Sequence, residues 1–318
     1  MSIADPIASR PATGDPSIPG EAVLAWEEQA VDAGLVLRHL SGTIGTEITG
    51  LDASRPLPDD VRDAVRQVWL ARRVVFFPEQ HLDPGQHRAF AAEFGEPSRA
   101  HPVIPGLDGH PDVLELDYSK SEELAKAYGQ IAERRGNAPT WHTDVTFVAR
   151  PPLGSILNAV SIPPAGGDTL WSDQVAAFRS LSPTLQAFLR TLTAVHDGTD
   201  QFSTLLEIVG SGEWEGRPFT LEPSEHPVVR THPETGEEIL FVNPGFTSHI
   251  VGLSRPESDH LLAYLYAQAT KDEHVVRYKW TEGTLGFWDN RATQHAVVAD
   301  FTGHRAIHRV TLRGDEPR

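Results

Sequence analysis

The chain has 318 residues, with 44 acidic against 27 basic side chains and a formal net charge of −17. That balance lacks the basic footprint of sequence-independent nucleic-acid binding, and a small anionic ligand would need a few arginines gathered locally. With no cysteine in the chain, disulfides, thiolate ligands and cysteine nucleophiles are excluded together, so any metal must be held by His and carboxylate.

Residues 1–22 are rich in Pro, Ser and Gly and read as a loosely held tail, without the basic start and apolar run of a secretory leader. No apolar run reaches membrane-spanning length. A cytoplasmic protein that engages neither membrane nor nucleic acid is the expectation, with residues 23–318 forming one domain. GTIGTEITGLD (42–52) reads as short strands and turns. In PDDVRDAVRQVWLARR the apolar positions Val61, Ala64, Val65, Val68 and Trp69 follow helical spacing. VVFF (74–77) follows as a short buried strand. Asp83-Pro84 supplies an N-cap and a first-turn proline, so a second helix is expected over 84–94, stopping at Gly95.

Residues 115–140 lose periodicity and read either as a lid or insertion or as a solvated helix. Beyond them strands dominate: 154–160, 168–172, a hairpin within 227–243 that turns near Glu234-Thr235-Gly236, 284–289 and 304–313. Helices are expected after Ser182-Pro183 and Arg255-Pro256. Many short strands and few helices predict a mainly β fold with flanking helices, a jelly-roll or double-stranded β-helix core.

With 15 histidines in the chain, a His-x-Asp triplet can arise by chance. His81-Leu82-Asp83 runs into a proline and uses Asp83 as a cap, and His232-Pro233-Glu234 lies in a hairpin turn. His142-Thr143-Asp144 instead sits among Trp141, Val145 and Phe147, where a strand would project residues i and i+2 to one face. A 2-His-1-carboxylate site for non-haem Fe(II) needs one more histidine from a distant strand, and His295 in GFWDNRATQHAVV is the candidate. Each of the three alone is more often structural than a ligand. The strand HRAIHRVTLR adds Arg305 and Arg309, four apart and so on one face. Arginine forks of this kind grip carboxylates or sulfur and phosphorus oxyanions, the plain alternative being surface ion pairs.

The ordered run WHTDVTF, PPLGSIL, GGDTLW, HPVVRTHPETG, ILFVNPGFT, WDNRATQH and HRAIHRVTLRGDEP, with GTEITGLD, VVFFPEQ and AFAAEFGE before it, resembles the taurine and alkylsulfate dioxygenases, which depend on Fe(II) and 2-oxoglutarate. The resemblance extends from about residue 40 to the C-terminus. It implies that His142, Asp144 and His295 ligate iron, and that Arg305 and Thr169 bind 2-oxoglutarate. It further implies that Arg309 and His101 hold the substrate's anionic head, with Phe202 and Phe246 as walls that are otherwise ordinary core aromatics. Where taurine enzymes carry a Tyr and an Asn beside the substrate, this chain has Ile104 and Ala138, which removes partners that a primary amine would want. The implied reaction consumes O2, turns 2-oxoglutarate into succinate and CO2, and hydroxylates the carbon next to the head group, so that an alkylsulfate or alkylsulfonate collapses to an aldehyde plus sulfate or sulfite. Two other readings remain at this stage: the same chemistry on an aryloxyalkanoate or specialised metabolite, and a jelly-roll binding or sensor module with a vestigial site. Homo-oligomerisation is compatible with the family.

Overall fold

The structure, a computed structural model, describes residues 21–117, 140–209, 212–214 and 216–318. Its frame is a seven-stranded sheet in the order Val36–His39, Thr46–Thr49, Val74–Phe77, Leu285–Asp289, Gly154–Ser161, Ala306–Leu312, Val113–Leu116. Every neighbouring pair is antiparallel except Thr46–Thr49 with Val74–Phe77. A three-stranded sheet, Val275–Tyr278, Thr169–Asp173 and Thr293–Val297, packs against it, and a second one is made by Ser224–Pro227, Thr193–His196 and Thr247–Ile250. This is the predicted jelly-roll core.

Both faces of the large sheet are covered, which is why VVFF and most of GSILNAVS are continuous apolar or buried runs instead of alternating ones. On the outer face, the helices Glu21–Asp32, Asp59–Arg72 and Pro84–Ala92 form one core with the sheet, and Trp69 stacks on Phe287 at 4.3 Å between ring centroids. On the inner face, Phe76, Leu157, Trp288 and Ile307 meet Trp171, Val276, Tyr278 and Trp280 across the sandwich.

Most expected elements appear within a residue or two. Asp83 caps its helix with a reciprocal capping box involving Gln86, and the helix ends at Ala92, short of the expected 94. The 227–243 hairpin has strands Val229–Thr231 and Glu238–Leu240 around a turn with Gly236 at φ 72°. The helix Glu21–Asp32 was not anticipated. Residues 21 and 22 belong to it rather than to the expected tail, and residues 1–20 lie outside the described residues. Of the expected lid, residues 115 and 116 close the strand Val113–Leu116, while 118–139, Ala138 included, lie outside the described residues.

The expected strand through His142-Thr143-Asp144 is not there. His142 makes a single antiparallel bridge with His295, and the chain then turns over 144–147 with Val145 at φ 54°. A positive φ at a β-branched residue is costly and persists only where the surroundings hold it.

Candidate metal centre

His142 and His295 are locked together by their backbones: His142 N–H donates to the His295 carbonyl at 3.0 Å, and His295 N–H returns the bond at 2.8 Å. The bridge places the two imidazoles side by side, with ring centroids 4.2 Å apart. The turn after Thr143 then swings Asp144 back, so that its Oδ1 stands 3.8 Å from the Nε2 of each histidine. One ligand atom from each of the three residues lies within 4.8 Å of the others. The convergence expected from strand pleating is thus achieved by a backbone bridge followed by a turn.

The tautomer of His142 is set by its Nδ1–H donating to the Thr140 carbonyl at 3.0 Å, which leaves the Nε2 lone pair for a metal. Burial, with His142 next in size, lowers the His295 pKa to about 3, so this imidazole is neutral at ordinary pH. Burial would raise the Asp144 carboxyl, but Arg309 first and then the two histidines outweigh it, and Asp144 stays ionised well below the usual carboxylate range. The neutral His295 imidazole and the ionised Asp144 carboxylate are therefore ready to ligate without loss of a proton, with the His142 Nε2 facing the same point.

Around the triad stand the expected anion-binding residues. Arg309 Nη1 lies 2.7 Å from Asp144 Oδ1, and its buried Nε has no protein partner among the described residues. His101 accepts the Val103 and Ile104 N–H groups on Nδ1 at 3.1 and 3.2 Å, which puts its own proton on Nε2. Burial, reinforced by Arg309, lowers its pKa to about 3. Its ring sits 4.9 Å from Phe202, and Phe246 meets the His142 ring edge-on at 6.1 Å. Ile104, Phe147, Phe202, Leu205 and Phe246 belong to one buried apolar cluster beside these groups.

Arg305 Nε donates to the Gly167 carbonyl at 3.2 Å. Gly166 and Gly167, at φ 78° and 73°, turn the chain there, and a Cβ on Gly167 would sit 3.0 Å from Arg305 Cδ and Nε. Two residues on, Thr169 Oγ1 accepts the Trp280 indole N–H at 2.9 Å, which leaves its own hydroxyl proton for another acceptor.

A family profile described as "Taurine catabolism dioxygenase TauD, TfdA family" matches residues 37–311. The chain belongs to the TauD/TfdA family. It is 37% identical over 302 residues to the alpha-ketoglutarate-dependent sulfate ester dioxygenase of Pseudomonas putida, a match that covers 93% of this chain and 94% of that one. Identity to the alkylsulfatase of Acinetobacter baylyi is 36%, covering 88% and 86% of the two chains. Among solved structures, a taurine dioxygenase from Burkholderia xenovorans superimposes with a TM-score of 0.73 at 40% identity, over 89% of this chain and 90% of that one.

As a TauD/TfdA member the protein is an Fe(II)- and 2-oxoglutarate-dependent dioxygenase that uses O2. The donor set fits that assignment: imidazole and carboxylate without thiolate suit ferrous iron, and three protein ligands leave positions open for a chelating co-substrate and oxygen. The vestigial-module reading falls with it.

Three supporting residues were not anticipated from the sequence. Asn290 accepts the Asp144 N–H on Oδ1 at 2.9 Å and donates from Nδ2 to the Asp144 carbonyl at 3.1 Å. Asn243 donates to Thr146 Oγ1 at 3.2 Å and accepts the Phe246 N–H at 2.8 Å, tying the NPGFT turn to the metal turn. Gly245 passes so close to His142 that a Cβ would lie 2.6 Å from the His142 Cβ. The sequence signal for all three is their position inside WDNRATQH and NPGFT, beside the histidine and the phenylalanine that the resemblance marks.

Proposed function

We propose that His142, Asp144 and His295 hold the iron, that Arg305 and Thr169 bind 2-oxoglutarate, and that the substrate is an alkyl sulfate ester whose anionic head sits between Arg309 and His101. The observation that carries this reading is the pairing of a buried arginine with a neutral histidine donor at the edge of an apolar cluster, right beside the triad. That arrangement favours an amphiphile with an oxyanion at one end and a hydrocarbon tail at the other. The sulfate ester and alkylsulfatase names of relatives that match both chains nearly end to end support the same choice.

Iron, with 2-oxoglutarate and O2, would supply the oxidant that hydroxylates a C–H bond. This chain's residues do the positioning. Arg309 offers a planar fork that suits two oxygens of one head group, and the His101 Nε2–H adds a neutral donor that brings no further charge. Holding the head there aims the adjoining carbon at the triad, where orientation alone contributes much of the rate. Ile104, Phe202 and Phe246 would pack the tail and keep water from it. Hydroxylation of the carbon bearing the ester oxygen gives an adduct that loses sulfate as it becomes an aldehyde.

Two measurements test this. Anaerobic Fe(II) and 2-oxoglutarate should produce a weak visible charge-transfer band that His142→Ala abolishes. Succinate formed from linear alkylsulfates, alkylsulfonates, taurine and aryloxyacetates should then be greatest with alkylsulfates. A clear preference for taurine or for an aryloxyacetate would overturn the substrate assignment while leaving the iron assignment intact.

A further inference from the structure

The aromatic residues inside the barrel form a continuous series that begins at the candidate iron ligand His295. Trp288 lies 4.9 Å from His295, Trp171 5.9 Å from Trp288, Trp280 6.0 Å from Trp171, and Tyr278 5.4 Å from Trp280, measured between ring centroids. These are contact distances for aromatic rings, and all four residues after His295 are buried. At the far end the Tyr278 hydroxyl donates to Glu47 Oε1 at 3.1 Å. Glu47 in turn pairs with Arg38, whose side chain is 66% exposed.

Ordinary core packing accounts for rings in contact. It does not account for where the proton acceptors stand. The indole N–H groups of Trp171 and Trp288 are buried without a protein partner among the described residues, and that of Trp280 meets only the neutral Thr169 hydroxyl. An indole that loses an electron here has no base to take its proton, so the electron vacancy stays mobile. At Tyr278 a carboxylate is already hydrogen-bonded to the phenol, so loss of an electron can be accompanied by transfer of the proton to Glu47. We propose that Trp288, Trp171, Trp280 and Tyr278 form an escape route that carries oxidising equivalents from the metal site to the Glu47 surface when oxygen is activated without a substrate in place.

The balance is simple. In turnover without substrate, one oxygen atom of O2 ends in succinate and the other is left two electrons and two protons short of water. Each electron drawn inward along the rings leaves Tyr278 as a neutral radical with its phenolic proton on Glu47, from which it passes to solvent. A soluble reductant such as ascorbate, giving up one hydrogen atom, restores the phenol. Two such passes, with two protons taken from solvent at the centre, complete the water.

The proposal rests on the dioxygenase chemistry of the family and is independent of the substrate assignment. Its test uses the iron-loaded enzyme with 2-oxoglutarate and O2, without substrate or reductant, sampled by rapid-freeze electron paramagnetic resonance with succinate measured in the same samples. The wild type should show a tyrosyl radical that Tyr278→Phe removes and Glu47→Gln weakens, the amide retaining an acceptor that cannot take the proton. Tyr278→Phe should also inactivate after several-fold fewer turnovers and gain oxygen on peptides containing Trp288 or Trp171. In the metal-free protein, one-electron oxidation by azide radical should give tryptophan radical that decays into tyrosyl radical in the wild type and persists in Tyr278→Phe. Succinate formation with identical radical spectra, oxidation maps and lifetimes in wild type and Tyr278→Phe would overturn the route. If no succinate formed, the dioxygenase reading would be the one in error, and the azide-radical experiment would decide the route on its own.

Discussion

Asn290 grips the backbone of Asp144 with both ends of its side-chain amide, accepting the N–H at 2.9 Å and donating to the carbonyl at 3.1 Å. The same Nδ2 reaches the Pro152 carbonyl at 3.1 Å. The next residue, Val145, has φ 54°, so this amide does for the turn what a neighbouring strand would do for a regular one.

Asn290→Ala is therefore expected to leave buried backbone groups of Asp144 unpaired, at about 1–3 kcal/mol for each. The metal site should suffer beyond the loss of stability, with Fe(II) affinity falling about 10- to 100-fold, as is usual when a residue that orients a ligand is removed. Asn290→Asp, which keeps an acceptor for the Asp144 N–H but loses the donor, should fall between. Calorimetric titration with Fe(II) under anaerobic conditions checks this, and unchanged affinity in Asn290→Ala would contradict it.

Arg309, proposed to hold a substrate oxyanion, faces Asp144 Oδ1 at 2.7 Å. Arg309→Lys keeps the charge but loses the fork, so KM for an alkylsulfate should rise about tenfold or more, roughly the 1.5–3 kcal/mol of a charged hydrogen bond. Succinate formation without substrate should persist, so the ratio of aldehyde to succinate drops. Equal losses in both products would assign Arg309 to the iron site alone.

Gly167 provides a separate handle on the co-substrate. An alanine there would have to adopt φ 73° and place its Cβ 3.0 Å from the Arg305 side chain. Strain of this kind costs about 1–3 kcal/mol, and the shift falls on the residue proposed to bind 2-oxoglutarate. Gly167→Ala should raise the 2-oxoglutarate concentration needed to saturate the anaerobic charge-transfer band by about tenfold, with Fe(II) affinity little changed.

Much of the barrel was legible because local chemistry and tertiary demand agree. The helix Asp59–Arg72 buries the Ala64, Val65, Val68 and Trp69 positions that its periodicity marked, and the Asp83-Pro84 cap fixed the start of the next helix. The helix Glu21–Asp32 was less visible, since Trp26 and Ala30 are the positions it adds to the core and a Pro- and Gly-rich stretch precedes it. At the metal site the residue types were readable but the geometry was not. Val145 and Phe147 favour a strand, and what imposes the turn is Asn290, far away in the chain, together with Asn243 and His196 bonding to Thr146. Contacts of that range leave no periodic trace in the sequence around His142.

His87 gives a prediction about pH that does not involve the metal. It lies fully buried in the helix Pro84–Ala92, donates from Nε2 to the Ile156 carbonyl at 3.0 Å and has no partner on Nδ1 among the described residues. Burial lowers its pKa from 6.5 to about 3. The unfolded chain therefore takes up this proton near pH 6.5 and the folded chain only near 3, so the contribution to stability is complete above pH 6.5 and is lost progressively as the pH falls toward 3. Each such histidine should remove about 1.4 kcal/mol per pH unit within that window. The buried carboxylates Asp144 and Asp289 also have lowered values, but their unfolded pKa near 3.8 confines their effect to more acid conditions. Between about pH 6 and 5 the slope thus belongs mainly to histidines, and glutamates with lowered values such as Glu234 and Glu237, whose reference is 4.5, join them nearer pH 4.5. His87→Gln should be less stable than wild type at pH 8 yet lose stability more slowly on acidification, so that urea-unfolding free energies of the two proteins converge toward pH 4.5. Parallel curves would mean that His87 is not the proton acceptor.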